Sequence, residues 1–209
     1  MEKDTPLVIT ISRQLGSGGA FVGQELAKAL GISYADREII DQAAQRLSML
    51  DADLEKRDEK RLSFWQSFMC SLACTPEAYV KPQSLPPTDR ELFKIESEIM
   101  RRIARERSVV IIGRCGAYVL KGHPRHVSIF LHADKEFRQK RLEQFYGVSP
   151  DEALKLTAQS DKERALYHRT LTGEKWTDAS RYDLVINTGK TGLDGCVGLI
   201  LKYLEIGHR

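Results

Sequence analysis

The sequence contains no apolar run that approaches the roughly 18–20 residues that a transmembrane helix requires. Its longest run, Val109-Val110-Ile111-Ile112, has the length of a buried strand. Residues 1–6 are polar and lack the basic region and cleavage site of a secretory signal peptide. We therefore expect a cytoplasmic protein with no membrane partner.

Cysteine is also scarce, with four residues in 209. Cys70 and Cys74 lie four positions apart, which is not the two-residue gap of a zinc knuckle, and the histidines show no metal-ligand spacing. We expect no metal site built from these side chains. All four cysteines, including Cys115 and Cys196, are predicted to be reduced and to fill space as small hydrophobic residues.

A large excess of charge of one sign is missing as well. The chain has 32 Lys and Arg against 29 Asp and Glu, a net charge of +3, which is too small to indicate a nucleic-acid partner. The basic cluster at positions 101, 102, 105 and 107 is interleaved with acidic residues and lacks aromatic side chains. That pattern is more typical of a solvated helix face, so we expect no nucleic-acid partner.

The length is typical of one domain, and short β-branched runs alternate with helical patterns. Strands are predicted at residues 7–12, 32–35, 109–112, 127–131 and 184–186. Helices are predicted at residues 21–30, 51–68, 89–107, 149–171 and 193–204, and after Asp36 and Asp134. This alternation predicts an α/β fold with a parallel sheet covered on both faces. Such sheets bind ligands beyond the carboxyl ends of their strands.

The first strand ends in a glycine-rich turn, Gly16-Ser17-Gly18-Gly19. A turn of this kind directs backbone N–H groups and a helix N-terminus at an anion, most often phosphate. The full phosphate-loop pattern G-x-x-x-x-G-K-[ST] is absent. Arg13 replaces the first glycine, Gly19 replaces the lysine, and Ala20 and Phe21 stand where a metal-binding hydroxyl is expected. A tight turn without a ligand is the alternative, and we hypothesise that Arg13 supplies part of the missing charge.

Four further polar positions are candidates for the same site. Arg114 directly follows the strand at 109–112, where a guanidinium fork could hold a phosphate; a surface arginine is the alternative. Arg164 and Arg169 could close onto a transferred phosphoryl group, or could belong to a solvated helix. Asp36 could orient a substrate or, through water, a magnesium ion, or could only cap a helix.

Several segments, in order along the chain, resemble the cytidylate kinase-like family. They are residues 9–19, 34–40, 111–114, 161–164, 172–176 and 182–188, with the sequences ITISRQLGSGG, YADREII, IIGR, DKER, TGEKW and YDLVINT. The resemblance spans about residues 7–205, which is nearly the whole chain.

The resemblance implies a three-layer P-loop nucleoside-triphosphate hydrolase fold with a five-stranded parallel sheet, a helical insert and a helical lid. The core would comprise residues 1–36, 108–148 and 182–209 of a single domain. The insert would comprise about residues 37–107, and the lid about residues 149–181.

The resemblance also implies a role for each candidate residue. Residues Arg13 to Gly19 would hold the triphosphate of ATP, with Mg²⁺ bridging its phosphates, and Asn187 and Thr188 would border the adenine. On the acceptor side, the nucleotide would face Asp36 and Arg114, and the lid arginines would be Arg164 and Arg169.

The function implied is ATP- and Mg²⁺-dependent phosphoryl transfer to a nucleoside monophosphate, with CMP or dCMP as the first choice. This chain departs from typical cytidylate kinases at three positions, where Gly19, Phe21 and Cys115 replace a lysine, a Ser or Thr, and an aspartate. Two alternatives therefore stay open. One is a nucleotide-binding or sensing module that has lost the chemistry, and the other is a kinase of a different small acceptor. No sequence feature fixes the oligomeric state.

Overall fold

A computed structural model describes residues 5–36, 40, 43–44 and 90–207. The helix predicted at 51–68, together with Cys70 and Cys74, lies outside the described residues. Most of the predicted insert does so as well, so its boundaries stay a prediction.

Five parallel strands form one sheet with the order β2-β3-β1-β4-β5. The strands are β1 Val8–Arg13, β2 Ser33–Ala35, β3 Val109–Ile112, β4 His126–His132 and β5 Leu184–Asn187. The central strand is β1, in which Val8 lies opposite Val109 of β3 and His126 of β4. The loops that follow β1 and β3 therefore leave the sheet side by side at its carboxyl edge, as the predicted fold requires.

The helices of the described ranges separate these strands. They are α1 Gly19–Leu30, α2 Arg90–Glu106, α3 Gly116–Val119, α4 Lys135–Tyr146, α5 Pro150–Thr172, α6 Thr188–Thr191 and α7 Leu193–Gly207. Gly31 ends α1 in the left-handed conformation, and Asp134 caps α4 by accepting the N–H of Phe137 at 2.8 Å. Ser149 caps α5 by accepting the N–H of Glu152 at 3.3 Å. These three helix boundaries are confirmed as predicted.

One face of the sheet is apolar and the other is mixed. Side chains alternate between the faces, and the apolar face packs against α1 and α7 through Ile9, Ile11, Val110, Ile112, Ile129 and Leu131. On the opposite face, α2 and α3 cover β3, but β1 and β4 carry polar groups. Thr10 of β1 is buried and forms a hydrogen bond of 2.7 Å with His126 of β4. Coverage of both faces is confirmed, and the mixed face adjoins the candidate site.

The two described cysteines, Cys115 and Cys196, are buried as predicted, and neither forms a disulfide. Burial raises the pKa of Cys196 to about 11. No helix in the described ranges combines the length and apolar character needed to cross a bilayer.

Candidate functional site

The loop between β1 and α1, residues 14–18, is here called the glycine loop. Gly16 and Gly18 have φ angles of 84° and 81°, a region that residues with a Cβ rarely adopt. A Cβ at Gly16 would also lie 2.8 Å from the backbone oxygen of Arg138. Gly18 caps α1 without a side-chain hydrogen bond, so no capping side chain accepts the first N–H groups of α1. These groups and the helix dipole suit an anion.

Two buried hydroxyl groups hold the glycine loop in shape. Ser17 Oγ donates to the backbone oxygen of Gln14 at 2.8 Å. Thr188, which follows β5, donates to the backbone oxygen of Ser17 at 2.9 Å. Both residues are fully buried, so Thr188 presents no exposed surface to an adenine in this structure. Asn187 is partly exposed and accepts the N–H of Gly189 at 3.1 Å, and the predicted adenine contact of this pair stays a prediction.

The Arg13 side chain occupies the space into which the side chain of a phosphate-loop lysine at position 19 would extend. A Cβ added at Gly19 would be 2.7 Å from Arg13 Cγ, and a Cβ added at Gly113 would collide with Arg13 Nη1. The side chain of Arg13 therefore passes over Gly19 and reaches the loop that follows β3. No larger residue fits at position 19 while Arg13 keeps this course.

A small cavity of about 50 Å³ lies where these loops meet α5, which belongs to the predicted lid. Its lining includes Arg13 from the end of β1, Arg114 from the loop after β3, and Arg164 from α5. Arg164 Nη1 also donates to the backbone oxygen of Arg13 at 2.7 Å. Three arginines singled out from the sequence thus meet, although they are distant in the chain.

Two other predicted residues do not line this cavity. Arg169 lies on α5 and is exposed. Asp36 follows β2, and its backbone oxygen accepts the N–H of Ile40 at 3.2 Å. That contact is consistent with a helix beginning after Asp36, but most of this helix lies outside the described residues. The functional roles of both residues stay predictions.

The loop after β3, residues 113–115, is here called the arginine loop. Gly113, Arg114 and Cys115 have φ angles of 79°, 49° and 55°. Positive φ angles at two consecutive non-glycine residues are a strained arrangement that is often found at functional sites. The strain turns Arg114 inward, where it is 5% exposed. The alternative of a surface arginine is therefore wrong for Arg114.

A buried carboxylate that the sequence analysis missed holds Arg114. Glu96 of α2 is 1% exposed, and its Oε1 lies 3.5 Å from Arg114 Nε. Tyr167 of α5 donates its hydroxyl to Glu96 Oε2 at 3.0 Å, and Arg114 Cζ lies 5.2 Å from the centre of the Tyr167 ring. One signal was available, because Glu96 lies at helical spacing with the buried residues Ile99 and Ile103.

Burial favours the uncharged forms of three other side chains that line the cavity, Tyr167, Cys115 and His168. Burial raises the pKa of Tyr167 well above its ordinary value, although the Arg114 guanidinium opposes this shift. Burial likewise raises the pKa of Cys115 to about 12 against the effect of Arg114, and burial lowers the pKa of His168. The positive charge of the cavity therefore comes from its arginines, which suits a phosphate.

Helix α5, which belongs to the predicted lid, is docked onto the glycine loop. Asp161 Oδ2 accepts from Arg138 Nη1 of α4 at 2.6 Å and from Gln14 Nε2 of the glycine loop at 3.3 Å. Together with the contact between Arg164 and Arg13, these bonds hold α5 beside the cavity.

The described side chains do not form a binding site for Mg²⁺ at the glycine loop. In the described part of the chain, no three His, Cys, Asp or Glu side chains cluster as metal ligands. Ala20 and Phe21 lack the hydroxyl that a phosphate loop offers to the ion. Mg²⁺ is usually held by substrate phosphates, water and one or two carboxylates, so the phosphates of a bound nucleotide would supply ligands to it here.

Comparisons with known proteins agree with this architecture. A sequence model of the cytidylate kinase-like family matches residues 8–190. The cytidylate kinase of Thermococcus kodakarensis is 29% identical over 200 residues, which cover 95% of this chain and 88% of that protein. The cytidylate kinase of Pyrococcus horikoshii is 27% identical over 206 residues, with coverages of 98% and 91%.

Solved structures show the same fold. A crystal structure of an uncharacterized protein from Eubacterium ventriosum has a TM-score of 0.71 at 26% identity, covering 96% of this chain and 99% of that one. Shikimate kinase from Bacteroides thetaiotaomicron has a TM-score of 0.51 at 16% identity, with coverages of 95% and 98%, and this likeness shows the fold alone. The predicted three-layer P-loop fold is confirmed.

Proposed function

This chain belongs to the cytidylate kinase-like family, and we propose that it transfers the γ-phosphoryl group of MgATP to a nucleoside monophosphate, with CMP or dCMP as the first candidates. The observation that carries the proposal is the meeting of Arg13, Arg114 and Arg164 around one cavity beside the glycine loop. Phosphoryl transfer requires positive groups on both the donor and the acceptor side of the moving phosphate.

The donor phosphates would lie against the glycine loop and the N-terminus of α1. Backbone N–H groups there replace the usual lysine as the main source of positive potential. The side chain of Arg13 passes over Gly19 and reaches the arginine loop, so its guanidinium would stand between the donor and the acceptor. It would neutralise charge on the transferred group, a role that extends the hypothesis that Arg13 compensates for the absent lysine.

The acceptor phosphate would bind Arg114, and Arg164 would approach the transferred group from the lid. A cavity of about 50 Å³ holds a few water molecules or one phosphate group. It is too small for a nucleoside, which would extend away from it. Alignment and charge neutralisation would lower the barrier without a covalent enzyme intermediate, while the closed lid would keep water from the γ-phosphate.

A nucleotide-binding module without turnover is the second candidate. The observation in its favour is that Arg13 fills the space above Gly19 and that position 20 carries no hydroxyl. The usual groups that hold MgATP are therefore missing. Such a module would bind nucleotides at the glycine loop without forming products.

The test is to incubate the purified protein with ATP, Mg²⁺ and each nucleoside monophosphate in turn, and to separate the products by chromatography. We expect CDP or dCDP to form, and we expect Arg164→Ala to lower turnover by at least about 100-fold, as does the loss of other transition-state charge contacts. Lys162→Ala is the matched control, since Lys162 is exposed on the same helix and should leave turnover unchanged.

Arg169→Ala tests the predicted second lid arginine. Because Arg169 is exposed and does not line the cavity, we expect its effect to resemble that of Lys162→Ala. Binding of nucleotides without product from any acceptor would favour the second candidate. If product forms only with a different small acceptor, the proposed kinase activity stands and the proposed nucleoside monophosphate acceptor is wrong.

A further inference from the structure

Tyr167 and Glu96 connect two parts of the molecule that are 71 residues apart in sequence. Glu96 belongs to α2, which packs on β3, and Tyr167 belongs to the lid helix α5. Arg114 lies between them, paired with the carboxylate at 3.5 Å and placed over the tyrosine ring at 5.2 Å. The phosphate-binding candidate Arg114 is therefore held by one residue from the body of the protein and one from the lid.

The Glu96 carboxylate is buried and therefore needs partners. A buried carboxylate is strongly disfavoured unless it is paired and hydrogen-bonded, and Glu96 is 1% exposed. Its two oxygens face Arg114 and Tyr167 separately. Arg114 pairs with one oxygen of this carboxylate and the Tyr167 hydroxyl donates to the other, so the two residues are placed relative to each other through Glu96.

Packing alone does not account for the tyrosine hydroxyl. The ring of Tyr167 also makes an edge contact with Phe93, with centroids 6.4 Å apart. A phenylalanine would keep that contact and the contact of the ring with the Arg114 guanidinium, but it would lose the hydrogen bonds of the hydroxyl to Glu96 and Arg114. The hydroxyl is the part that reaches Glu96. Removing the hydroxyl alone therefore tests whether Tyr167 acts through Glu96 or only fills space.

We propose that Glu96 and Tyr167 are positioning residues, in which Glu96 fixes the orientation of Arg114 and the Tyr167 hydroxyl links that orientation to closure of the lid helix α5. The inference rests on the proposed function in one respect, namely that the anion that meets Arg114 is the phosphate of the acceptor. Acceptor binding then favours the closed lid, because the orientation of Arg114 that binds the acceptor and the closed position of α5 depend on the same contacts with Glu96. Closure in turn prevents transfer to water before an acceptor is bound.

The test compares Tyr167→Phe with Tyr182→Phe. Tyr182 is a matched control, because its hydroxyl also makes a partly buried hydrogen bond, at 2.9 Å to the backbone oxygen of Trp176. For Tyr167→Phe we expect kcat to fall about tenfold, as the loss of a hydrogen bond to a charged group implies. We expect the KM for ATP to be unchanged and ATP hydrolysis per transfer event to rise. Tyr182→Phe should change none of these quantities.

Glu96→Gln tests the other half of the unit, since it keeps the shape and can still accept a hydrogen bond from Tyr167. We expect the KM for the nucleoside monophosphate to rise several-fold while the KM for ATP stays constant. A lower acceptor KM would overturn the positioning role, because it would show that Glu96 competes with the acceptor phosphate for Arg114.

A second readout separates failure of this inference from failure of the proposed function. Amide hydrogen exchange of residues 150–172 is measured with and without CMP, in the wild type and in Tyr167→Phe. Protection that CMP induces in the wild type and not in the variant supports the coupling even if no CDP forms. Equal protection in both proteins, or none in the wild type, overturns it. If the wild type makes CDP and Tyr167→Phe behaves like Tyr182→Phe, the inference is wrong and the kinase proposal stands.

Discussion

The glycine loop and the arginine loop sit side by side at the same edge of the sheet, yet they present positive charge in opposite ways. The glycine loop uses backbone N–H groups, and its residues with positive φ are glycines, so the shape is adopted at little conformational cost. The arginine loop uses a side chain, and two of its three residues with positive φ carry a Cβ. The strain there is balanced by the buried contacts that Arg114 makes.

This difference indicates what each loop tolerates. A backbone anion site fails when a side chain intrudes on the turn. A side-chain anion site fails when the partner that supports the buried charge is lost. Substitutions in the two loops should therefore destabilise the protein for different physical reasons and by different amounts.

The largest effect is expected in the support of the arginine loop. Glu96→Ala leaves Arg114 buried without its carboxylate, and we expect the free energy of unfolding to fall by about 3–5 kcal/mol. Urea denaturation measures this change. Adding Arg114→Ala to that variant should cost less than the sum of the two single changes, because the pair acts as one unit. Additive effects would show that the two residues are independent.

A smaller effect is expected from a side chain in the glycine loop. Gly16→Ala combines a positive φ with a close approach to the backbone of Arg138, and we expect a loss of about 2–4 kcal/mol. Gly31→Ala is the control, since Gly31 also has a positive φ but has no atom within 4 Å of an added Cβ; we expect a loss of about 1–2 kcal/mol. Equal losses in urea denaturation would show that crowding at Gly16 is unimportant.

The relation between Arg13 and Gly19 gives the third prediction. Gly19→Lys restores the lysine of the usual pattern but overlaps the Arg13 side chain, so we expect a loss of about 1–3 kcal/mol in the free energy of unfolding. Adding Arg13→Gly, which restores the first glycine as well, should recover most of that loss. If Gly19→Lys alone is neutral, Arg13 can leave its observed course at no cost.

The sequence predicts local features well and long-range features poorly. The strand at 109–112 and the caps at Gly31, Asp134 and Ser149 depend on neighbouring residues, and they were confirmed. The arginines of the cavity were also singled out, because each follows a strand or belongs to a recognisable segment.

The contacts of the site required the folded chain. Glu96 and Tyr167 are 71 positions apart, and Arg13 and Arg164 are 151 positions apart. No local pattern specifies that such pairs meet. The course of Arg13 over Gly19 is similarly decided by packing, although the two residues lie on either side of one short loop.

The smallest effect should appear at alkaline pH, and of the two loops only the arginine loop should contribute to it, because residues 14–18 of the glycine loop include no titratable side chain. Burial raises the pKa of Cys115 from 9.0 to about 12, while the Arg114 guanidinium opposes the shift. Between these two values the unfolded chain has lost the thiol proton and the folded protein retains it, so folding becomes less favourable as the pH rises. The stability that the neutral thiol provides is complete below pH 9 and is lost as the pH approaches 12.

Cys115→Ala should therefore flatten the decline of stability above pH 9. At pH 10 we expect the wild type to have lost about 1 kcal/mol through this group, measured by urea denaturation relative to pH 8. Cys196→Ala is the comparison, since burial raises the pKa of Cys196 to about 11 with no arginine involved. If Arg114 favours the thiolate as its position beside Cys115 indicates, substituting Arg114 by Leu should make the alkaline decline through Cys115 steeper. If the free energy of unfolding declines with pH at an unchanged slope, the Arg114 guanidinium does not interact with Cys115. Its charge is then directed at Glu96 and at a ligand in the cavity.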